Sequence, residues 1–369
     1  MRSAADNPHL QLETRHLLHC GDAADLTGVA DGSVQLVVTS PPYPMITMWD
    51  EQFSAQSETV RSALAGARCN EAFESMHRVL DRTWQACHAA LAEGGFLCVN
   101  IGDAVRTCAG EFRLYSNYAR IVQAVTALGF TLLPSVVWRK PTNSPTKFLG
   151  SGMLPGGAYV TLEHEKVIIC RKGTREVRSA DERSRRRRSA VFWEERNEWY
   201  SDLWAFTGMR QDLGHNNGSG RRRSAAFPLE LPFRLVCMYS WIGDTVCDPF
   251  SGTGTSTCAA IAAGRNSIGI DTDPSLVSKA RERVCSSDTM AELQSRSRQR
   301  VVDHGRFIEN RKQETKHRHS VSGCPVVTGQ ETEVTIPVPK NLRTEEKEIV
   351  CSYDLLVPGG TTGTTTSRS

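Results

Sequence analysis

The sequence predicts an α/β fold: a doubly wound, mostly parallel sheet with helices on both faces. Three observations predict it. Short β-branched apolar runs alternate with stretches of helical period between residues 15 and 300, the pattern of strand–helix–strand units. Two of the runs, 34–38 and 245–248, break off in compact loops, Ser40-Pro41-Pro42-Tyr43 and Pro249-Phe250-Ser251-Gly252-Thr253-Gly254-Thr255. Several runs end in polar or acidic residues, Asp22, Ser40, Asp248 and Asp271, and open α/β sheets bind ligands just past the carboxyl ends of their strands.

Composition narrows the function classes. A chain of 369 residues with 39% hydrophobic content can bury a sizeable core and carry an insertion or tail. No apolar run approaches a membrane span, and the start, Met1-Arg2-Ser3-Ala4-Ala5-Asp6, lacks signal-peptide features. The 12 cysteines form no C-x-x-C pair, so they read as reduced thiols rather than a disulfide framework or zinc site. A net charge of +3 does not by itself announce nucleic acid.

Residues 1–14 read as a flexible lead. A short strand from residue 17 ends in Gly21-Asp22, where Asp22 is a site residue or an ordinary turn or cap. Residues 34–38 read as a buried parallel strand, and the two prolines stop it. Proline fixes φ and carries no N–H, and it pushes the residue before it into an extended conformation. Ser40 and Pro41 both precede a proline. The stretch is therefore a stiff arm with an acceptor hydroxyl, bare carbonyls and no amide donor at Pro41 or Pro42. Such an arm suits a group that donates two hydrogens, such as an amino group, and Tyr43 adds a flat face. On these residues alone, a strand closed by a tight turn with an exposed aromatic fits equally well.

Residues 44–68 are polar and aperiodic and read as a mobile loop over the site. Phe73, Met76, Leu80, Trp84, Cys87 and Leu91 recur at spacings of three and four and make one helix face. Glu93-Gly94-Gly95 ends that helix. Residues 96–101 form a strand, 115–128 a helix closed by Gly129, and 130–138 a strand broken by Arg139-Lys140-Pro141. Residues 167–170 form a further strand after Glu163-His164-Glu165. Residues 171–223 differ: they hold 14 basic and 8 acidic residues, net +6, with six aromatics from Phe192 to Phe206 interleaved. A flexible insertion of this kind is a candidate nucleic-acid contact through Arg185, Arg186, Arg187, Arg188, Arg221, Arg222 and Arg223. A solvated loop or an import signal is the alternative.

Regularity returns at 224–300. Phe227-Pro228-Leu229-Glu230-Leu231 opens a helix, residues 245–248 form a strand, and the glycine loop leads into an alanine-rich helix. Residues 267–271 form a strand ending in Asp271, and Pro274 starts another helix. The pattern then fades, and 301–369 reads as a polar tail, linker or disorder. Val334, Ile336 and Val338 alternate as in a strand, which Pro337 and Pro339 would confine to a sheet edge.

The glycine loop lacks the ending of a phosphate-binding Walker loop and the G-x-G-x-x-G spacing of dinucleotide folds. Its glycines still let the backbone approach a ligand closely, and Asp271 lies where a ribose-binding acid is expected. Together with Ser40-Pro41-Pro42-Tyr43, this makes the sequence resemble the S-adenosylmethionine-dependent DNA amino-methyltransferases, the cytosine-N4 and adenine-N6 family. Asp248-Pro249-Phe250-x-Gly252-x-Gly254-Thr255 resembles their cofactor loop, Phe227-Pro228-x-Glu230-Leu231 the helix before it, and Gly21-Asp22 the segment before the catalytic strand. Catalytic motif first and cofactor loop last resembles the β arrangement. The similarity covers residues 15–285, and neither the insertion nor the tail carries a family motif.

The resemblance implies a Rossmann-like methyltransferase sheet with a catalytic half (15–170), a basic insertion for target recognition (171–223) and a cofactor-binding half (224–300). It implies S-adenosyl-L-methionine as cofactor, held by Asp248, Phe250, Ser251, Gly252, Thr253, Gly254 and Thr255. Asp271 would hold the ribose hydroxyls, and Asp22 and Phe227 the adenosine or methionine end. Ser40, Pro41, Pro42 and Tyr43 would be catalytic, gripping the amino group of a base flipped out of double-stranded DNA. No metal is implied. No covalent intermediate is implied either, in line with the absence of a Pro-Cys pair. Serine at the first motif position favours cytosine N4 over adenine N6. A non-catalytic DNA-binding module, and an enzyme acting on RNA or protein, are the other readings. The protein would work inside the cell on DNA, in a bacterial cytoplasm or a eukaryotic nucleus, away from any membrane. A restriction enzyme partner and the oligomeric state stay open.

Overall fold

Sixteen strands and ten α-helices make up the described residues of the computed structural model, which are 12–140, 149–177, 179–206 and 227–359. The first half runs β1 (Glu13–Cys20), β2 (Val34–Thr39), α1 (Asp50–Gln56), α2 (Glu58–Ala65), α3 (Cys69–Ala90), β3 (Leu91–Ile101), β4 (Ala104–Cys108), β5 (Glu111–Tyr115), α4 (Asn117–Ala127), β6 (Thr131–Arg139), β7 (Leu149–Gly150), β8 (Ala158–Tyr159) and β9 (His164–Arg171). Then come α5 (Ala180–Arg188), α6 (Trp193–Trp199), β10 (Leu203–Ala205), α7 (Glu230–Tyr239), β11 (Thr245–Asp248), α8 (Thr255–Ala263), β12 (Asn266–Asp271), α9 (Pro274–Val284), α10 (Ser287–Glu309), β13 (His317–Arg318), β14 (Pro325–Val326), β15 (Ile336–Glu345) and β16 (Glu348–Leu356).

Ten strands form one sheet in the order β10-β6-β9-β3-β2-β11-β12-β1-β16-β15. The middle five, β3 to β1, are mutually parallel. Strand β9 runs antiparallel between β3 and β6, and the β15–β16 hairpin runs antiparallel on β1. Side-chain alternation along the strands feeds two cores. Leu36 and Val38 pack with α7, α8 and α10 on one face, and Val37, Leu97 and Val99 with α1 to α4 on the other. The sheet is therefore doubly wound and mostly parallel, as expected. The chain winds one way from β2 to β3 and the other way from β11 to β12. The reversal falls between β2 and β11, whose carboxyl ends carry Ser40 and Asp248.

Four expectations need correction. Residues 44–68 are not an aperiodic loop: they hold a 3-10 turn, Thr47–Trp49, and the helices α1 and α2. These helices are 7 and 8 residues long and bury only Phe53, Val60 and Ala63, too few side chains to display a period. Helix α3 stops at Ala90, before the glycines. Gly94 has φ +76, and a Cβ there would lie 2.2 Å from the backbone of Arg175, so this glycine permits chain packing rather than ending a helix.

The insertion is folded: Ser179 and Glu182 form a capping box on α5, Phe192, Trp199 and Trp204 are buried, and β10 joins the sheet. The tail is folded as far as 359. Helix α10 carries the chain through residue 309, and Tyr353 bonds both Thr14 Oγ1 (2.8 Å) and the Ile261 carbonyl (3.0 Å). Pro337 and Pro339 do lie on a sheet-edge strand, β15.

Cysteine chemistry also differs from expectation. Cys69 and Cys108 form a disulfide with Cα atoms 6.3 Å apart, joining α3 to β4. The pairing spans 39 residues of sequence, so no local spacing announces it. Residues 207–226 and 360–369 lie outside the described residues, and with them the candidates Arg221, Arg222 and Arg223. Among the described residues, no helix is long and apolar enough to cross a membrane.

Candidate active site

A cavity of about 430 Å³ opens at the β2–β11 junction. It gathers Asp22, Ser40, Pro41, Pro42, Tyr43, Phe227, Asp248, Phe250, Ser251, Gly252, Thr253, Thr255 and Asp271. Of the catalytic and cofactor candidates among the described residues, Gly254 alone lies outside its lining. With φ +77 it starts α8, and a Cβ there would lie 3.2 Å from that of Ala280 on α9. Its place is helix packing.

The glycine-loop wall is held largely by backbone. Asp248 is buried and accepts from the Thr39 hydroxyl (2.7 Å), the Ser256 hydroxyl (2.5 Å) and the Phe250 N–H (3.0 Å). It thereby ties the end of β2 to the loop and to α8. Burial pushes its pKa up to about 6, against the opposing effect of these three donors. Asp271 accepts the N–H of Gly252 and of Asp273, both at 2.9 Å, and burial raises its pKa as well. Arg283 of α9 donates to Thr253 and Thr255 from behind. Asp22 accepts the Ala24 N–H at 2.9 Å, so it caps a turn and lines the cavity at once.

The opposite wall is held by side chains. Pro41 and Pro42 are buried. Ser40 Oγ lies 3.1 Å from the Tyr43 hydroxyl, which donates to Glu165 Oε2 at 2.9 Å. Asn100 Nδ2 donates to the Tyr43 oxygen (3.0 Å) and to Glu165 Oε2 (2.6 Å), and Lys140 Nζ donates to Glu165 Oε1 (2.5 Å). Burial first, then the Glu165 charge, holds the Tyr43 phenol well above its ordinary pKa, so it stays protonated. Lys140 and Glu165 line the cavity but were not among the sequence candidates. The available signal was position. Lys140 follows β6, and Glu165 opens an antiparallel strand, whose amino end shares the edge of its neighbours' carboxyl ends.

The profile of a DNA methylase family, the N6/N4 group, matches residues 34–282. The chain belongs to that DNA methylase family. It is 41% identical over 335 residues to the Type II methyltransferase M.MthZI of Methanothermobacter thermautotrophicus, covering 90% of this chain and 93% of the relative. It is 42% identical over 287 residues to M.MjaI of Methanocaldococcus jannaschii, covering 74% and 93%. Among solved structures it is similar to a Thermus thermophilus protein titled a putative DNA modification methylase, complexed with S-adenosyl-L-methionine. That match has a TM-score of 0.57 and 30% identity, and covers 73% of this chain and 93% of that one.

This methylase is an S-adenosyl-L-methionine-dependent DNA methyltransferase, and its cavity fits that cofactor. The Ser251 hydroxyl is a buried cavity-wall group without a hydrogen-bond partner. Gly252, at φ +51, has nothing within 4 Å of the position a Cβ would take, which leaves a bare backbone edge open to a ligand. The Asp271 carboxylate, with about four lone-pair sites, keeps acceptor capacity for a hydroxyl beyond its backbone bonds.

Two features of the methylase lie apart from the cavity. Arg185 pairs with Asp244 (3.5 Å) and faces the Trp241 ring, and Arg187 pairs with Glu333 (3.0 Å). Asp244 precedes β11, so the Arg185–Arg188 run sits at the amino end of a strand whose carboxyl end, Asp248, lines the cavity. The structure does not bring this run to the site. Glu194, His304 and Glu331 lie close enough to share an ion. However, both ring nitrogens of His304 already face acceptors, Glu194 at 2.9 Å and the Pro325 carbonyl at 3.3 Å, which suits an imidazolium ion pair.

Proposed function

We propose that this methyltransferase acts on the exocyclic N4 amino group of a cytosine flipped out of double-stranded DNA, at specific sequences. The observation that supports it is Ser40. A serine heads the Ser-Pro-Pro-Tyr arm on the cavity that also holds the glycine loop, and the family resemblance links serine at that position to cytosine N4.

S-adenosyl-L-methionine, held by Asp271 and the glycine loop, would supply a methyl group activated by its sulfonium charge. The chain prepares the acceptor. An aromatic amino group is a poor nucleophile, because its lone pair is delocalised into the ring. Ser40 Oγ and the Pro41 carbonyl accept its two hydrogens, draw the nitrogen toward tetrahedral geometry and free the lone pair. Tyr43 stacks on the base, offsetting extrusion from the duplex, which costs a few kcal/mol. Asp248 and Asp271 hold the loop that positions the donor, and positioning supplies much of the rate. On accepting the methyl the nitrogen would shed one proton to water, and no covalent enzyme intermediate would be needed. Arg221, Arg222 and Arg223, close in sequence to the cavity residue Phe227, are the candidates for phosphate contact. The Type II names of the relatives support a modification role beside a restriction enzyme.

The test is nucleoside mass spectrometry of DNA incubated with the enzyme and cofactor. N4-methylcytosine is expected. N6-methyladenine alone would overturn the choice of base, and neither product would overturn the reading.

A further inference from the structure

The hydrogen-bond polarity of the side-chain wall can be worked out proton by proton. Glu165 is met by three donors, Tyr43 and Asn100 on Oε2 and Lys140 on Oε1. A carboxylate is acceptor-only, so the single phenolic proton of Tyr43 is spent on Glu165. The Asn100 amide is oriented by the same carboxylate: its oxygen would be repelled 2.6 Å from Glu165 Oε2, so Nδ2 takes that place. Nδ2 also donates to the Tyr43 oxygen. Tyr43 therefore has no proton left for Ser40, 3.1 Å away, and Ser40 must donate its own. A serine hydroxyl that has given away its proton presents only lone pairs.

We propose that Glu165 is a positioning residue that, through Tyr43, turns Ser40 into an obligatory hydrogen-bond acceptor facing the target amino group. A free serine rotates and is donor or acceptor with equal ease. The relay Lys140–Glu165–Tyr43–Ser40 removes that freedom. The inference rests on the proposed role of Ser40 and deepens it.

The test variant is Glu165→Gln. Lys140 draws the amide oxygen to its own side, which leaves the amide nitrogen facing Tyr43. The Asn100 amide turns its oxygen to accept one hydrogen of the Gln nitrogen, the other is donated to Tyr43, Tyr43 donates to Ser40, and the Ser40 proton turns into the cavity, toward the hydrogens it should accept. Single-turnover transfer in Glu165→Gln should fall about 10²-fold, the scale of one misplaced transition-state hydrogen bond. Cofactor Kd, DNA Kd and thermal midpoint should stay at wild-type values. Tyr43→Phe keeps the ring and merely frees Ser40, so it should lose less than Glu165→Gln, and adding Glu165→Gln to it should cost nothing further. A full additional loss in the double variant would mean that Glu165 acts on the substrate directly and would overturn the relay. So would a Tyr43→Phe loss larger than that of Glu165→Gln, or a fallen midpoint with lost cofactor affinity. Ser40→Ala separates the two readings. If it stays active, the role of Ser40 itself fails; if it is inactive while Glu165→Gln is not, only the relay fails.

Discussion

The wall built from β11 and β12 and the wall built from β3, β6, β9 and the arm after β2 hold their polar groups by different means. In the first, Asp248 and Asp271 grip backbone N–H groups and short hydroxyls within a few residues of the glycine loop. In the second, Glu165 grips Tyr43, Asn100 and Lys140 from three other strands or loops. Backbone bonds set the shape of a loop, and side-chain bonds set the direction of individual protons. Under the proposed mechanism, the first wall holds the cofactor and the second orients the amino group.

The largest expected effect breaks the first wall. Asp248→Ala strands the buried Thr39 and Ser256 hydroxyls, at about 1–3 kcal/mol each, and the partly buried Phe250 N–H. Urea denaturation should show a loss of several kcal/mol, and calorimetry should show no cofactor binding. Unchanged stability would mean that the loop does not depend on this carboxylate. Ser40→Ala is the counterpart on the other wall. Transfer should fall about 10²- to 10³-fold with cofactor affinity and stability intact, and a parallel loss of cofactor binding would erase the division between the walls.

Lys140→Ala sharpens the comparison. The Lys140–Glu165 pair is partly exposed (32% and 13%), so its worth is about 1 kcal/mol at most. The transfer rate should fall about fivefold, and a 10²-fold loss would assign Lys140 a direct contact with substrate.

Two controls lie outside both walls. Burial pulls the His304 pKa down, but the hydrogen bond and charge of Glu194, with the Pro325 carbonyl, outweigh it and raise the pKa. A raised folded pKa stabilises fully below the unfolded value near 6.5, and that contribution fades as pH rises through the folded value. Wild-type stability should decline over that window, and a His304→Gln curve of the same slope would dismiss the ion pair. The smallest effect is expected from Arg186→Glu with Arg187→Glu. Their helix is tied to the amino end of β11, opposite the cavity, so the salt dependence of DNA binding should not change. A shallower slope would return this run to the DNA interface.

Much of this was legible in the residues. The buried run 34–39, the double proline after it, the glycine loop and the terminal Asp271 are local patterns, and each carries its chemistry within about ten residues. Other parts left no local trace. The tail looked like linker because its strands bury their apolar side chains only when paired on β1, and Pro337 and Pro339 read as breakers until β15 is seen to be an edge. The arginine run was a nucleic-acid candidate on charge alone, and charge counts carry no direction. Its partners Asp244 and Glu333 are distant in sequence.

Glu165 marks the boundary between the two kinds of information. Sequence alone determined the mostly parallel, doubly wound class and the two motifs at its strand ends, because periodicity and turn chemistry act over short spans. That β9 runs antiparallel, so that its first residues and not its last reach the cavity, was decided only by the tertiary structure. Strand direction is set by the pairing of segments far apart in the chain, and no residue in β9 encodes it.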